Sequence, residues 1–287
     1  MKHKFIDGFI LKVIGLITMT FDHVGVFMER FIPEASEIAN IFRCVGRLAF
    51  PIFVFLIVEG IRHTKSFAKY ILRLGILATI LIVGEAIIFY NFDNSLDFPS
   101  PINDLVIIAL AIYLLNRKDK LSFLSILPIG FSVFCFLIPF IEKSNDITIT
   151  FLPFFLRCDY DIFGMILAIG YWLAPEAAKL ILKSNENTAN ILTEDNMQTA
   201  SDICAAFWVI FVSLIMFVIN KVTGQEIFFD IIAYASLAAI PILFYNGKRG
   251  YNAKWFKYGS YLYFPLHLII IFLVFVILGY IDVGGYL

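Results

Sequence analysis

The chain has 287 residues, of which 60% are hydrophobic and 16% are charged, and its net charge is −1. A water-soluble domain carries roughly 25% charged residues, so this composition excludes a soluble globular protein. A balanced charge without a basic stripe also excludes a nucleic-acid partner. The apolar residues recur in blocks of about 20, the length that crosses a hydrocarbon core of ~30 Å. The composition therefore predicts an all-α, polytopic transmembrane helix bundle.

Nine apolar segments predict about nine spans within a single domain over residues 1–287. In chain order they cover residues 10–31, 38–61, 69–90, 101–116, 121–141, 159–178, 203–220, 227–245 and 258–281. The first span has no cleavage site behind it, so we expect it to be retained. The stretch 147–157 is too short to cross and contains Pro153, which predicts a re-entrant or interfacial piece. The polar stretch near 183–202 predicts a cytosolic loop.

The distribution of basic residues predicts the orientation of these spans. Lys and Arg are concentrated at the N-terminus and in every second loop. The alternate loops hold only Lys143, Arg157 and Lys221 and are otherwise acidic. Because cytosolic loops carry the excess of Lys and Arg, we expect a cytosolic N-terminus and an outer C-terminus.

Four ionisable residues lie well inside the first two predicted spans, away from the lysine, arginine and glutamates near their ends. They are Asp22 and His23 in the first span and Arg43 and Arg47 in the second. Such residues cost about 2.5–3.5 kcal/mol at the centre of a span, so their positions are informative. His23 and Arg47 fall at nearly the same depth in antiparallel neighbours, which predicts a shared polar cavity. Nearby, Gly46 predicts close helix packing and Pro51 predicts a kink.

This combination suits attack by an acceptor on a thioester. An imidazole can take and return a proton near neutral pH, and an adjacent carboxylate can orient it. Arginines can hold an anion or stabilise an oxyanion. The alternative interpretation is a structural ion pair beside one hydrogen-bonded histidine.

Further candidate residues lie on the predicted cytosolic side, where basic groups could hold the phosphates of a nucleotide cofactor. They are Lys12, Arg62, His63, Lys65, Arg73, Lys248 and Arg249. The positive-inside bias alone explains most of these lysines.

Other candidates lie elsewhere in the spans. His267 in the last span must face protein or water, and its role, catalytic or structural, stays open. Asp159, Tyr160 and Asp161 either line the outer entrance of the site or cap a helix. The cysteines Cys44, Cys135, Cys158 and Cys204 show no metal-binding spacing, so no metal is expected.

Several stretches resemble the TraX family. They are LKVIGLITMTFDHVG, RCVGRLAFPIFVFLIVEGIRHT with KYILRL behind it, and YFPLHL, in that order. The resemblance implies a membrane protein of a family associated with N-acetylation of pilin in conjugative systems. The family also resembles the wider acyltransferase-3-like transmembrane enzymes, which have a basic residue, ten intervening residues and a catalytic histidine. Lys12 and His23 match this spacing, and Arg43 and Arg47 resemble that group's arginines.

The resemblance implies an acetyl-CoA donor and an acyltransferase-like domain in the bacterial inner membrane. In this hypothesis His23 is the general base, Asp22 orients it, and Arg43 and Arg47 stabilise negative charge. The partners would be a coenzyme A thioester, membrane lipid and an acceptor peptide or glycan, such as a pilin N-terminus or an amino sugar. The alternatives are a proton-coupled transporter or flippase that uses the same buried charges, and a scaffold subunit of a secretion or conjugation apparatus.

Overall fold

The chain is built from helices. The computed structural model describes residues 4–91, 100–183, 193–223 and 230–281. The α-helices in these ranges are α1 (Gly8–Phe31), α2 (Ser36–Gly46), α3 (Ala49–His63), α4 (Phe67–Asn91), α5 (Pro101–Leu115), α6 (Ile126–Asn145), α7 (Asp161–Lys183), α8 (Glu194–Thr223), α9 (Ala239–Leu243) and α10 (Lys254–Ile277). Shorter 3-10 helices cover Pro33–Ala35, Lys120–Ser125, Phe154–Leu156 and Asp230–Ala238. Within the described ranges, β pairing is limited to an isolated bridge between Ile6 and Tyr245, which confirms the all-α prediction.

Seven helical stretches of the described residues are long and apolar enough to cross a membrane. They are Gly8–Phe31, Pro33–His63, Phe67–Ile87, Lys120–Asn145, Phe154–Lys183, Asp195–Val222 and Lys254–Ile277, and each overlaps a predicted span. The other two predicted spans appear as the shorter apolar helices Pro101–Leu115 and Ile231–Leu243. Residues 227–229 of the eighth prediction lie outside the described residues. The chain is therefore an all-helical membrane protein.

The second predicted span is broken between α2 and α3, which end and begin at Gly46 and Ala49. Pro51 causes the break, because proline has no N–H to donate to the carbonyl of Arg47 four residues earlier and its ring clashes with that carbonyl. The chain turns tightly instead, with the Leu48 N–H donating to Val45 O at 3.3 Å. The predicted kink is confirmed, and Arg47 becomes the residue that caps α2.

Two connecting segments refine the predicted loops. Residues 184–192 of the predicted cytosolic loop lie outside the described residues, and the chain is helical again from Glu194 onward. The stretch 147–157 has no α-helix and ends in the 3-10 turn Phe154–Leu156. Its last residue, Arg157, donates from Nη2 to Glu142 Oε1 at 2.9 Å and to Ile149 O at 3.0 Å. These bonds satisfy a backbone carbonyl that a helix would otherwise satisfy.

The chain divides into two compact units, of which the first comprises residues 1–56 and 170–287 and the second residues 57–169. The assignment of one domain stays a prediction. Within the first unit, α1 lies between α2 and α10. Phe9 packs on Phe256 near the starts of α1 and α10, with ring centroids 4.5 Å apart, and Phe27 packs on Phe275 near their ends at 5.4 Å. The helices α1 and α10 therefore run parallel.

Glycines allow α1 and α2 to approach closely. A Cβ atom on Gly46 would lie 2.3 Å from the Cβ of Asp22, and one on Gly25 would lie 2.9 Å from Ala39 O. Neither atom can move away easily, because Ala39 O is part of the helix backbone and the Cβ of Asp22 is bonded directly to it. The predicted close packing at Gly46 is confirmed.

We expect Gly46→Ala to destabilise the protein by about 1–3 kcal/mol or more, since the added methyl group overpacks the contact with Asp22. The measurement is the free energy of unfolding in mixed micelles. The matched control is Gly259→Ala in α10, where a Cβ meets nothing within 4 Å. There the gain in helix propensity of up to ~1 kcal/mol is the expected effect. Equal stability of the two variants would contradict the close-packing argument.

Candidate functional site

The parallel helices α1 and α10 bring two histidines into contact. His267 Nε2 lies 3.1 Å from His23 Nδ1, and the ring centroids are 4.8 Å apart at an interplanar angle of 67°. The His267 side chain is buried, with 4% of the residue exposed, whereas His23 is half-buried. His267, whose role the sequence left open, is thus the direct neighbour of the predicted base.

The hydrogen-bond partners fix the tautomers of both rings. His267 Nδ1 lies 2.9 Å from Tyr263 O, and a carbonyl oxygen only accepts, so this nitrogen carries the proton. The same reasoning places a proton on His23 Nδ1, which lies 2.9 Å from Met19 O. That N–H is shared with His267 Nε2, which accepts. The lone pair of His23 is therefore on Nε2, for which the described residues supply no hydrogen-bond partner.

Two residues that the sequence did not single out support this pair. The ring of Tyr263 stacks on His267, with centroids 5.3 Å apart and an interplanar angle of 7°. Its hydroxyl bonds to Thr20 Oγ1 at 2.5 Å, and Thr20 in turn donates to Leu16 O at 2.9 Å. The available signal was helical spacing, since Tyr263 precedes His267 by one turn and Thr20 precedes His23 by three residues.

Asp22 forms an ion pair with Arg47 across the α1–α2 contact. Arg47 Nη2 donates to Asp22 Oδ1, and the side chains are only 4% and 16% exposed. Arg43 Nε lies 3.9 Å from the same carboxylate oxygen and 3.9 Å from Glu29 Oε2, whose side chain is 64% exposed. The buried part of this cluster holds two guanidinium groups and one carboxylate. Its excess positive charge suits the binding of an anion.

Asp22 and His23 have different hydrogen-bond partners, although the two side chains interact electrostatically, and the orientation of His23 by Asp22 stays a prediction. Consecutive residues on a helix point ~100° apart, so the two side chains diverge. Asp22 turns to the arginines of α2, and the imidazole is held by Met19 O and His267. The predicted shared cluster is therefore two adjoining pairs, one of histidines and one of opposite charges.

Three predicted cofactor-binding residues of the first unit lie near the N-terminal end of α1. Lys12 Nζ is 5.9 Å from the centroid of the Phe256 ring. Lys248 and Arg249 are exposed and follow the bridge between Ile6 and Tyr245, and Lys248 O accepts from Gly8 N at 2.8 Å. These basic groups are thus gathered around the N-terminal end of α1.

The second unit contains a basic pocket of about 460 Å³. It is lined by Ile61, Arg62, Thr64, Lys65, Phe67, Tyr113, Asn116 and Arg117. Arg62 bonds to Glu59, and Arg117 donates from Nε to Asp119 Oδ1 at 2.8 Å. The hydrogen bonds from Arg117 lower the pKa of Asp119. Arg117, which the sequence did not single out, completes a set of three cations suited to phosphate groups.

His63 and Arg73 are not part of the pocket lining. His63 is exposed, with Nε2 3.6 Å from Glu59 Oε2. Arg73 lies in α4, and its Nε is buried without a hydrogen-bond partner among the described residues. The predicted phosphate-binding set therefore separates into Arg62 and Lys65, which line one pocket, and two residues that do not.

The predicted outer residues Asp159, Tyr160 and Asp161 belong to the second unit. The backbone N–H groups of Asp159 and Tyr160 donate to Asp104 Oδ2 at 2.7 and 3.2 Å. Asp161 begins α7 with a positive φ of 43°, an uncommon conformation for a residue other than glycine. Asp159 and Tyr160 are thus held by hydrogen bonds from their backbone, and Asp161 has a strained backbone conformation.

Comparison with known proteins identifies the relatives of this chain. The model of the TraX protein family matches residues 7–275. The probable fimbrial assembly protein FimC, serogroup H1, of Dichelobacter nodosus is 26% identical over 278 residues, which cover 91% of this chain and 93% of that protein. No solved structure matches the chain. Since the family model extends over nearly the whole sequence and includes both histidines and both arginines of the site, the chain belongs to the TraX protein family.

Proposed function

We propose that this protein is an acetyltransferase that moves an acetyl group from acetyl-CoA to an acceptor amine or hydroxyl. The observation that carries the proposal is the contact between His23 Nδ1 and His267 Nε2 at 3.1 Å. It fixes the His23 tautomer and leaves Nε2 as a base. A half-buried, hydrogen-bonded base beside an anion-binding arginine pair is the arrangement that acyl transfer needs.

The proposed reaction proceeds in two steps. His23 Nε2 takes the proton of the acceptor while the acceptor nitrogen or oxygen attacks the thioester carbonyl, and Arg43 and Arg47 stabilise the resulting oxyanion. The C–S bond then breaks, and the coenzyme A thiolate receives the proton from His23. His267 accepts a hydrogen bond from His23 Nδ1 throughout, which stabilises the transient imidazolium.

We further propose nine crossings with the N-terminus in the cytosol of a bacterial inner membrane. The helices α1 and α10 run parallel, so if both cross, the number of crossings is odd. The two short apolar helices must then either both cross or both stay out. A 15-residue α-helix such as α5 measures ~22 Å, and the 3-10 helix with α9 measures ~25 Å. Local thinning of the bilayer accommodates both lengths at modest cost.

The acceptor that we propose is a pilin-type subunit. The support is the family and the fimbrial assembly name of the Dichelobacter nodosus relative. A pilin N-terminus offers an amine that a base can deprotonate. Peptides, amino sugars and glycan hydroxyls are the competing acceptors, and supplying each to the purified protein separates them.

The test is release of coenzyme A thiol from acetyl-CoA by the full chain purified in detergent micelles, with and without an N-terminal pilin peptide. We expect a slow basal release and a faster release with acetylated peptide detected by mass. A thermal shift with coenzyme A supplies an independent measure of binding. If the protein shows no thiol release and no thermal shift with coenzyme A, the enzyme proposal is rejected. That result would favour a transporter or flippase, whose buried charges need no coenzyme A.

The basic pocket of the second unit is tested separately as a donor phosphate site. We expect the double variant Arg62→Ala, Lys65→Ala to raise the KM for acetyl-CoA at least ~10-fold, since each charge-assisted hydrogen bond contributes about 1.5–3 kcal/mol. The kcat should change little, because the phosphates do not react. Lys118→Ala is the matched control, since this exposed lysine lies next to the pocket-lining Arg117 but does not line the pocket. An unchanged KM would remove the pocket from donor binding.

A further inference from the structure

Two cysteines that are 23 residues apart in the sequence meet in the second unit. Cys135 lies in the middle of α6, and Cys158 lies just before α7. They are 3% and 4% exposed. Their sulfur atoms and a carboxylate oxygen of Asp161 all lie within 4.8 Å of one another. The sequence spacing alone gave no reason to connect these three residues.

A buried carboxylate with an unused oxygen adjoins this cluster. Asp104 in α5 is 1% exposed, and its Oδ2 accepts the N–H groups of Asp159 and Tyr160, which follow Cys158 directly. Its Oδ1 is buried and has no hydrogen-bond partner among the described residues. Asp104 interacts electrostatically with both Cys158 and Asp161. Asp161 Oδ1 is likewise buried and has no hydrogen-bond partner in the described part of the chain.

A buried carboxyl group is stable in its ionised form only where it is paired with a cation or coordinates a metal. Arg157 is the basic residue next to Cys158 and interacts electrostatically with Cys135 and Asp161, but its hydrogen bonds go to other groups. It donates to Glu142 Oε1 at 2.9 Å, to Ile149 O at 3.0 Å and to Leu152 O at 3.0 Å. A metal ion held by the two sulfur atoms and Asp161 would supply positive charge at this cluster.

We propose that Cys135, Cys158 and Asp161 bind a zinc-type divalent cation, and that the nearby buried carboxyl group of Asp104 adds negative charge to the site. Two thiolates on one tetrahedral zinc lie ~3.8 Å apart, so sulfur atoms within 4.8 Å need only a small contraction. Thiolate ligands select a soft ion such as Zn²⁺ over Mg²⁺ or Ca²⁺. Binding displaces one proton from each thiol, and these protons are released to solvent.

The strained start of α7 is consistent with this assignment. Asp161 adopts a φ of 43°, which costs of order 1–3 kcal/mol in a residue other than glycine and persists only where the surroundings impose it. The two sulfur ligands come from α6 and the turn before α7, so the ion would join α6 to the start of α7. The site is independent of the proposed acetyl transfer, since none of its ligands belongs to the histidine pair or the arginine cluster.

The test uses zinc alone as the probe, on the full chain purified under reducing conditions and stripped with a chelator. We expect about one zinc per chain, and protection of Cys135 and Cys158 from alkylation when zinc is present. The double variant Cys135→Ser, Cys158→Ser should lose the ion, whereas Cys44→Ser, Cys204→Ser should keep it. Retention of the zinc by the first double variant would mean an adventitious ion only and would overturn the proposal.

A second measurement does not depend on whether the variants fold. Cobalt added to the stripped wild-type chain should give the thiolate-to-cobalt charge-transfer absorption of a tetrahedral sulfur site. Absence of this absorption together with unprotected thiols would reject the metal site. A disulfide between Cys135 and Cys158 in protein isolated with thiols blocked at cell lysis would reject it as well, because bonded sulfurs cannot both act as thiolates.

Discussion

Replacing His23 by glutamine is expected to lower the rate of acetyl transfer by about 10²–10⁴-fold, the usual contribution of a general base. Glutamine keeps the polarity and a hydrogen-bond donor near Met19 O but has no basic nitrogen to take the acceptor proton. The loss should fall on kcat, with the KM for acetyl-CoA nearly unchanged. The measurement is thiol release with a pilin-type acceptor peptide, at matched thermal stability.

Two variants of His267 test the same assignment through the hydrogen bond that His267 accepts from His23. Its Nε2 only accepts a hydrogen bond from His23, so the amide oxygen of His267→Gln can replace it, whereas His267→Leu cannot. We expect the leucine variant to be ~10-fold slower than the glutamine variant, the equivalent of one hydrogen bond of about 1.4 kcal/mol. Tyr258→Phe, on an exposed position of the same helix, is the control. Full activity in both His23→Gln and His267→Leu would sink the assignment of the base.

The second large effect concerns stability. Asp22→Asn should destabilise the protein by about 3–5 kcal/mol, because it leaves the buried guanidinium of Arg47 without its counter-charge. The double variant Asp22→Asn, Arg47→Gln removes both charges and should recover most of this loss. Unfolding in mixed micelles gives the coupling energy of the pair from the double-mutant cycle.

The exposed pair of Lys179 and Glu176 is the matched control for that cycle. Its atoms are 4.0 Å apart and its side chains are 49% and 72% exposed, so Glu176→Gln should change stability by at most about 1 kcal/mol. Activity of the folded double variant at Asp22 and Arg47 separates two roles. An inactive but stable chain would place Arg47 at the oxyanion, whereas an active one would limit the pair to holding α1 against α2.

The membrane architecture could be predicted from local properties of the sequence. Hydrophobic length sets where helices cross, and seven of the nine predicted segments are helices of sufficient length. The break at Arg47 follows from Pro51, and the contact at Gly46 follows from its missing Cβ. Each of these features depends on a few neighbouring residues, so the sequence carries it directly. The 3-10 form of Asp230–Ala238 has no such local signal.

The histidine pair and the cysteine cluster could not be predicted in the same way. His23 and His267 are 244 residues apart, and Cys135 and Cys158 are separated by a turn whose path depends on Asp104 and Arg157. Periodicity places each residue on a helix face but does not tell which helices are neighbours. The same limitation explains why the sequence did not tell which of the two arginines bonds to Asp22.

Local sequence features are therefore enough to predict a helical membrane protein with ionisable groups inside its first two spans, because the length of an apolar segment and the charges within it can be read along the chain. How those groups are paired depends on the packing of the helices. It directed Asp22 to Arg47, joined His23 to His267 through the parallel packing of α1 and α10, and thereby left one imidazole nitrogen as the base. Each of these contacts joins side chains on two different helices, so it exists only once the helices have packed together.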